Sequence, residues 1–322
     1  MRLTFAATAA LLAVLFAAPS SAQEWPTKPV RIVVPFGPGG TSDILGRLVA
    51  ERLSKEFGQQ FFIDNRGGAA GMIGSAAAAA AESDGYTLLI SGNASHVIGP
   101  AFYGNASYDG VKSFTHIAYV GGAPVGLLVH SSLNIKSYRE FVAWAKAQNK
   151  PVDYVSSGTA THGFLFGAEL ARKEGFALNH IPYKGAGPAL LDLVAGHVRV
   201  ATISFSAGAP HVRSGTLGAL AVSTEVRLPT FPDVPTFKEL GHADMTGGSW
   251  FAISGPANLP APIVSKLNRE VRKILKEPDV RQRLDKDGFQ TREMSSDELQ
   301  KFFVSETERW GPIAKKFSAS TK

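Results

Sequence analysis

Residues 30–53 read VRIVVPFGPGGTSDILGRLVAERL, and this stretch decides the fold class. Its first five residues are β-branched apart from Arg31, which is typical of a strand buried in a parallel sheet, and a proline then ends the run. A glycine-rich turn follows, and Thr41, Ser42 and Asp43 are successive candidates for the N-cap of the next helix. The apolar residues after the turn recur at helical spacing, with charged residues on the opposite face. The stretch therefore predicts a strand, a glycine turn and a helix N-terminus.

The turn between this strand and helix has the construction of an anion site. A helix N-terminus leaves backbone N–H groups without intrahelical partners and adds the positive end of the helix dipole. An anion can therefore bind there without a lysine or arginine, but the same turn is also ordinary α/β construction, so both interpretations stay open here. Nucleotides are disfavoured, because the Walker pattern is absent and Ser42 stands where a dinucleotide fingerprint starting at Gly37 needs its third glycine or alanine.

The first 22 residues are predicted to be a cleaved signal peptide. Arg2 gives a minimal positive start, an apolar run follows, and small residues ending at Ala22 precede a cut before Gln23. The apolar run is short for a membrane span, and no cysteine follows the cut to carry a lipid. We therefore expect a soluble, exported protein.

The composition is that of a globular protein, with 44% hydrophobic and 19% charged residues. The chain has no cysteine, so its stability must come from packed cores. The mature part is long enough for two domains of about 150 residues each. The net charge of +6 arises from basic residues that are mostly interspersed with acidic ones, so we expect no nucleic-acid partner.

The pattern of strand, small-residue turn and helix recurs along the chain. Alternation of strands with helices predicts parallel sheets covered by helices, with ligands at the carboxyl ends of the strands. Two stretches, residues 121–124 and 247–253, are typical of connections between domains. The fold class predicted is α/β, with two lobes that close like a clamshell and a chain that crosses twice between them. We expect lobe I to comprise residues 23–123 and 245–322, and lobe II residues 124–244.

Several segments resemble a known family along essentially the whole mature chain. They read WPTKPVRIVVPFGPGGTSD, IDNRGGAAGMIG, DGYTLLI, HIPYKGAGPALLDLVAGHV, GALAVST, PDVPTFKELG and APIVSKLN. The order is similar to the Bug family, the periplasmic solute receptors of tripartite tricarboxylate transporters, and the PFxPGGxxD and PYKGxxPAL segments are specific. The resemblance implies a type II periplasmic binding-protein fold, a carboxylate ligand held by loops of both lobes, and membrane permease subunits as partners. It also implies a periplasmic location and no catalysis; we expect a monomer without cofactor or metal.

The resemblance also assigns the ligand loops at residues 36–43, 91–93 and 157–161, to which we add further candidates from the turns of both lobes. The candidates in lobe I are Phe36, Gly39, Gly40, Thr41, Ser42, Asp43, Ser91 and Asn93. Those in lobe II are Ser157, Gly158, Thr159, Ala160, Thr161, His162, Tyr183, Ser204 and Phe205. Asp43 either orients the loop through local hydrogen bonds or caps the helix, and a cap is favoured over ligand contact because a carboxylate repels an anion. His162 is either a ligand donor or an ordinary residue at a helix start.

The chain departs from the family pattern after the strand near residue 200. Many members have an aspartate where this chain has Ile203, so a partner for a ligand ammonium group is missing and amino acids are disfavoured. Together with Phe36, Phe164 and Phe205, Ile203 favours an apolar or aromatic carboxylate, with a dicarboxylate as the alternative.

A secreted α/β hydrolase is the rival function. The sequence contains no G-x-S-x-G elbow, no H-E-x-x-H pair and no cysteine nucleophile, but carboxylates distant in sequence can still meet in a fold. The hydrolase therefore stays as an alternative without a recognised nucleophile motif.

Overall fold

The strand predicted from the opening stretch lies inside one half of a long mixed sheet. We describe residues 24–320 in a computed structural model, so the predicted signal peptide lies outside the described residues. The strands are β1 Val30–Val34, β2 Phe61–Asn65, β3 Thr87–Gly92, β4 Phe114–His130, β5 Val152–Ser156, β6 Leu178–Pro182, β7 Val200–Ser204, β8 Leu217–Val222 and β9 Gly248–Pro256. Their order is β2-β1-β3-β9-β4-β7-β5-β6, and β8 pairs with β4.

Helices cover both halves of this sheet. They are α1 Thr41–Phe57, α2 Met72–Ala79, α3 Gly99–Tyr103, α4 Tyr138–Lys146, α5 His162–Glu174, α6 Ala186–Val194, α7 Phe205–Arg213, α8 Ala261–Ile274, α9 Pro278–Lys286 and α10 Ser296–Ser320. A capping box precedes α10, since Ser295 and Glu298 exchange hydrogen bonds. No helix within residues 24–320 combines the length and the apolar composition needed to cross a membrane.

Strands β4 and β9 connect the two halves. The connection predicted at residues 121–124 lies inside β4, which is continuous through its glycines. Register shifts next to β9 let the strand bend there instead of ending. The pairing changes partner at one point: β4 pairs with β9 up to Pro124 and with β7 from Val125 onward.

The prediction of parallel sheets is confirmed for the outer strands of each half and is wrong for the crossing strands β4 and β9. Strand β1 is parallel to β2 and β3, and β5 is parallel to β6 and β7. Strand β4, however, is antiparallel to β7, β8 and β9, and β9 is antiparallel to β3. The antiparallel pairing arises because β4 and β9, the two strands that connect the halves, run in opposite directions and pair with each other.

Each half has its own apolar core. In the first, Leu45 and Val49 of α1 pack with Leu267 and Val271 of α8, all nearly or fully buried. A buried leucine or valine contributes about 1.5–3 kcal/mol relative to an exposed one, so these stripes fix the helices on the sheet. The sheet and its helices form two lobes that β4 and β9 connect. We propose residues 23–123 with 245–322 as lobe I and 124–244 as lobe II, supported by the change of partner along β4.

Candidate functional site

A small cavity lies where the carboxyl ends of β1, β3, β5 and β7 face one another across the two lobes. Its volume is ≈ 30 Å³. It is lined by Phe36, Gly40, Thr41, Ser42, Gly92, Asn93, Ala94, Ser157, Thr161, Gly163, Ala186, Ser204, Ser249 and Phe251. None of these cavity-lining residues carries a charged side chain, so the polar groups of the cavity wall are hydroxyl, amide and backbone groups.

The N-terminus of α1 forms the lobe I wall of this cavity. The N-cap is Gly40, not one of the three residues predicted for that position, and within residues 24–320 no side chain caps the helix. The first N–H groups of α1 are therefore left for another acceptor. Thr41 is 3% exposed, and its Oγ1 has no hydrogen-bond partner among the described residues. A buried hydroxyl without a partner is costly and points to a missing acceptor or donor.

Asp43 organises the loop before α1 instead of capping the helix. Its Oδ2 accepts hydrogen bonds from the Gly39 N–H and from Arg47 Nε, both at 2.9 Å. Its Oδ1 accepts one from Asn65 Nδ2, also at 2.9 Å. Burial raises the pKa of the Asp43 carboxyl, but these hydrogen bonds outweigh it and hold the pKa below its usual value. The carboxylate is ionised and engaged in these bonds, so Asp43 orients the loop, as the first of its two predicted roles has it, and does not cap the helix.

Three more helix N-termini reach the cavity from lobe II. Helix α5 follows its N-cap Thr161, whose Oγ1 accepts from the Phe164 N–H at 3.4 Å and donates to the Gly158 carbonyl at 2.7 Å. Helix α6 begins at Ala186 and α7 follows Ser204, and both residues line the cavity. With α1, four helix dipoles present their positive ends to one space, which favours an anion.

The two lobes are in contact around the cavity. The Gly37 N–H donates to the Lys184 carbonyl at 2.7 Å, and Asn93 Nδ2 lies 2.9 Å from His162 Nδ1. The ring of Phe102 packs edge-on against that of Phe164, with centroids 5.9 Å apart. The remaining space holds about one or two water molecules. A ligand larger than water can therefore enter only when the lobes separate.

A larger cavity of ≈ 630 Å³ lies between α5 and α10. Apolar side chains, among them Phe166, Trp310 and Ile313, form most of its walls. Arg172 on its rim is already paired with Glu169 at 2.6 Å. We place the ligand site in the smaller cavity, because that is where the strand ends and helix N-termini converge.

The structure places most predicted site residues at or next to the cavity. Phe36, Gly40, Thr41, Ser42, Asn93, Ser157, Thr161 and Ser204 line it. Gly39, Asp43, Gly158, Thr159, Ala160 and His162 belong to the same loops or to the first turns of the helices after them, but are not among the lining residues.

Three predicted site residues lie elsewhere, because other contacts occupy them. Ser91 Oγ bonds to the Ala252 carbonyl and to Ser254 Oγ inside the sheet. The Tyr183 hydroxyl donates to Asp192. Phe205 is fully buried and packs edge-on against Phe231 in the lobe II core.

Two further residues cited for an apolar ligand are also packed away from the cavity. Ile203 lies in the lobe II core, and the ring of Phe164 packs against that of His180. Phe36 alone of the four predicted apolar residues lines the cavity.

Sequence analysis missed six lining residues: Gly92, Ala94, Gly163, Ala186, Ser249 and Phe251. Ser249 and Phe251 are two apart in β9, so they share one face of that strand. Alternation within GSWF is the signal that could have identified them. Small residues such as Ala186 carry no chemical signal of their own.

Comparison with known proteins places this site in a family. Residues 45–318 match the model of the tripartite tricarboxylate transporter family receptor. The chain belongs to this family. BugT of Bordetella pertussis is 32% identical over 307 residues, covering 95% of this chain and 94% of BugT.

Solved structures agree with this assignment. The R. palustris protein Rpa4515, solved with adipate, has a TM-score of 0.87 at 32% identity and covers 92% of this chain and 99% of its own. MatC from Rhodopseudomonas palustris with bound malate has a TM-score of 0.84 at 30% identity, covering 90% and 100%. The Bug resemblance and the binding-protein fold are confirmed, and the chain is a periplasmic receptor of a solute transporter. The rival hydrolase finds no support among these proteins.

Proposed function

We propose that this receptor closes its two lobes around a small carboxylate and presents the closed form to membrane permease subunits of a tripartite tricarboxylate-type transporter. The observation that carries the proposal is the buried Thr41 hydroxyl, without a partner among the described residues, at an uncapped helix N-terminus facing the cavity. A carboxylate oxygen would accept from this hydroxyl and from the first N–H groups of α1. The ligand then favours the closed state because it touches both lobes only there.

The interaction energies are sufficient for useful affinity without any cationic side chain. Helix N-termini contribute about 0.3–1 kcal/mol each, and more when partly buried. Hydrogen bonds to a charged group contribute about 1.5–3 kcal/mol each. A few such bonds and several helix ends reach the roughly 8 kcal/mol of a micromolar complex, from which ordering and desolvation subtract.

We propose an apolar or aromatic carboxylate as the preferred ligand, with a dicarboxylate as the alternative. Phe36 and Phe251 support an apolar body, since both rings line the cavity. Adipate and malate, which two structural relatives bind, are the first dicarboxylates to test. Binding of small polar diacids alone would contradict the apolar preference.

The Thr41→Val variant is expected to weaken carboxylate binding by about 10-fold or more, because it removes one hydrogen bond to a charged group while keeping the side-chain shape. Isothermal titration calorimetry against adipate, malate and benzoate measures this effect. The matched control is Thr307→Val, which changes an exposed threonine that lies away from the cavity and bonds to the Phe303 carbonyl within α10. Equal affinity of both variants for every carboxylate would contradict the site.

We also propose that the chain is exported, cleaved before Gln23 and not an enzyme. The small residues ahead of Gln23 support the cleavage site. Edman sequencing of protein purified from its exporting host is expected to start at Gln23, and a start at Met1 would contradict export with cleavage. A bound carboxylate is expected to be released unchanged, which mass spectrometry of the eluted ligand checks. We expect a monomer, as a clamshell needs no second copy to close.

A further inference from the structure

Asn93, His162 and Trp310 come from three separate elements and meet beside the cavity. Asn93 follows β3 of lobe I, His162 is the first residue of α5 in lobe II, and Trp310 lies on α10. The Asn93 Nδ2 to His162 Nδ1 distance is 2.9 Å, and the rings of His162 and Trp310 meet edge-on with centroids 4.3 Å apart. Their exposures are 1%, 1% and 7%. This set is a buried contact across the cleft.

The hydrogen-bond partners of Asn93 fix the protonation of His162. Asn93 Oδ1 accepts from the Ala94 N–H at 3.0 Å, which leaves its Nδ2 as the group facing the imidazole. Because an amide nitrogen can only donate, His162 Nδ1 must accept and cannot carry a proton. The neutral ring therefore holds its proton on Nε2, which has no hydrogen-bond partner among the described residues.

Trp310 leaves the imidazole little freedom to turn. Its ring contacts one side of His162, and Phe166, one turn along α5, contacts the ring edge-on with centroids 5.2 Å apart. The Arg309 guanidinium lies over the Trp310 ring at 4.9 Å from its centroid. Aromatic contacts of this kind orient a ring as well as bury it.

We propose that Trp310 is a positioning residue for lobe closure: it holds the imidazole of His162 so that unprotonated Nδ1 accepts the Asn93 amide across the cleft. The contact acts as a latch of the closed state; Asn93 also lines the ligand cavity, whereas His162 and Trp310 are not among its lining residues. The inference rests on the proposed function, because closure matters only if it captures a solute.

Protonation of His162 opposes the latch. It would place an N–H donor at Nδ1 against the NH₂ donor of Asn93, so the closed state loses its hydrogen bond. Burial lowers the pKa of His162 in the closed form to about 4, with the Arg309 charge acting in the same direction and the Gly248 carbonyl against it. With the lobes apart the ring is hydrated and its pKa moves toward the ordinary value of about 6.5. Closure therefore releases a proton when the pH lies between these values.

Ligand affinity is expected to fall by about 30-fold from pH 7.5 to pH 5, as this linkage predicts for one histidine. Calorimetric titration with adipate, malate or benzoate, whichever binds tightest, measures the profile. His162→Gln keeps an acceptor but cannot titrate in this range, so its profile contains only the protonation of the ligand and of other groups. Trp310→Phe is expected to weaken ligand binding. It should also move the midpoint of the pH profile of ligand affinity upward, toward pH 6.5. Its matched control is Ile313→Ala on the same helix, where the side chain is 38% exposed.

Asn93→Asp tests the direction of the hydrogen bond. An aspartate accepts where asparagine donates, so it favours a proton on His162 Nδ1. Asn93→Asp can lower the absolute ligand affinity, but the part of the affinity loss at acid pH that depends on His162 is expected to vanish or reverse. A purely structural role of these side chains predicts lower affinity with an unchanged pH profile in all variants, and that result would overturn the latch.

A second measurement separates the latch from the ligand. Since the chain contains no cysteine, Glu51→Cys and Lys150→Cys place a single pair of spin labels on exposed sites of the two lobes. Without ligand, the short-distance population is expected to shrink between pH 7.5 and pH 5, and to stay constant in His162→Gln. If no carboxylate binds but the short-distance population still changes with pH, the result contradicts the proposed ligand and supports the latch. A distance distribution independent of pH in the parent chain would overturn the latch.

Discussion

The Gly187→Ala variant is expected to lose about 100-fold in carboxylate affinity, equivalent to about 2.7 kcal/mol, while each lobe stays folded. Gly187 lies near the start of α6 in lobe II, against the glycine loop of lobe I. A Cβ at this position would overlap the Pro38 carbonyl oxygen and lie 2.9 Å from the Gly40 nitrogen. These are backbone atoms of the other lobe, so no side chain can move aside. Only separation of the lobes relieves the clash.

Calorimetric titration and a thermal melt of the same sample test this expectation. The matched control is Gly311→Ala, because a Cβ there meets nothing within 4 Å among the described residues. The control should bind like the parent chain. Parent-like affinity of Gly187→Ala would show that ligand capture does not require the closed arrangement of these two loops.

Acid is expected to destabilise the protein by several kcal/mol between pH 7 and pH 4.5, mainly through its buried histidines. Burial lowers the pKa of His116 to about 3, and burial together with the neighbouring His116 lowers that of His96 well below its usual value. In the unfolded chain both titrate near 6.5, so the stability from their neutral burial is complete above that pH. It is lost as the pH falls toward the folded-state value. For His116 the loss amounts to a few kcal/mol at pH 4.5.

The surroundings of these rings explain why they resist protonation. His116 lies flat on Phe303 with centroids 3.5 Å apart, and its Nδ1 bonds to Ser254 Oγ at 2.9 Å. His96 packs against Phe114 at 4.5 Å and bonds to Ser95 Oγ. Both Nε2 atoms are without partners among the described residues, so no carboxylate stabilises the charged rings.

Urea unfolding at a series of pH values measures this linkage. His116→Asn cannot titrate in this range, so it should take up about one proton fewer on unfolding near pH 5, although it is less stable at every pH. His197→Asn is the control, because that histidine lies exposed on the surface. Identical slopes of stability against pH in the parent and His116→Asn chains would exclude His116 as a source of the acid sensitivity.

Much of the fold follows from local pattern. The β-branched run of β1 and the apolar stripe of α1 predict those elements, since strand and helix periods differ and each buries one face. The connection predicted at residues 121–124 lies within the continuous strand β4. Glycines and a proline ordinarily end a strand, but pairing with β9 across both lobes outweighs that local preference.

The site was harder to predict than the fold. Polar turns after strands correctly indicate the cavity, because strand ends gather at one edge of a sheet. The interior environment of Phe205 and the cross-cleft contact of Asn93 with His162 depend on tertiary packing, which one sequence does not encode locally. Gly187 carries no chemical signal at all, yet only a glycine allows the two loops to approach.

The most direct test of the central claim is a crystal structure of the mature chain with the carboxylate that binds it most tightly. We predict one carboxylate group within hydrogen-bond distance of Thr41 Oγ1 and of the first N–H groups of α1, with groups from lobe II completing the enclosure. A carboxylate bound instead in the apolar cavity between α5 and α10, with the space at Thr41 filled only by water, would contradict the account.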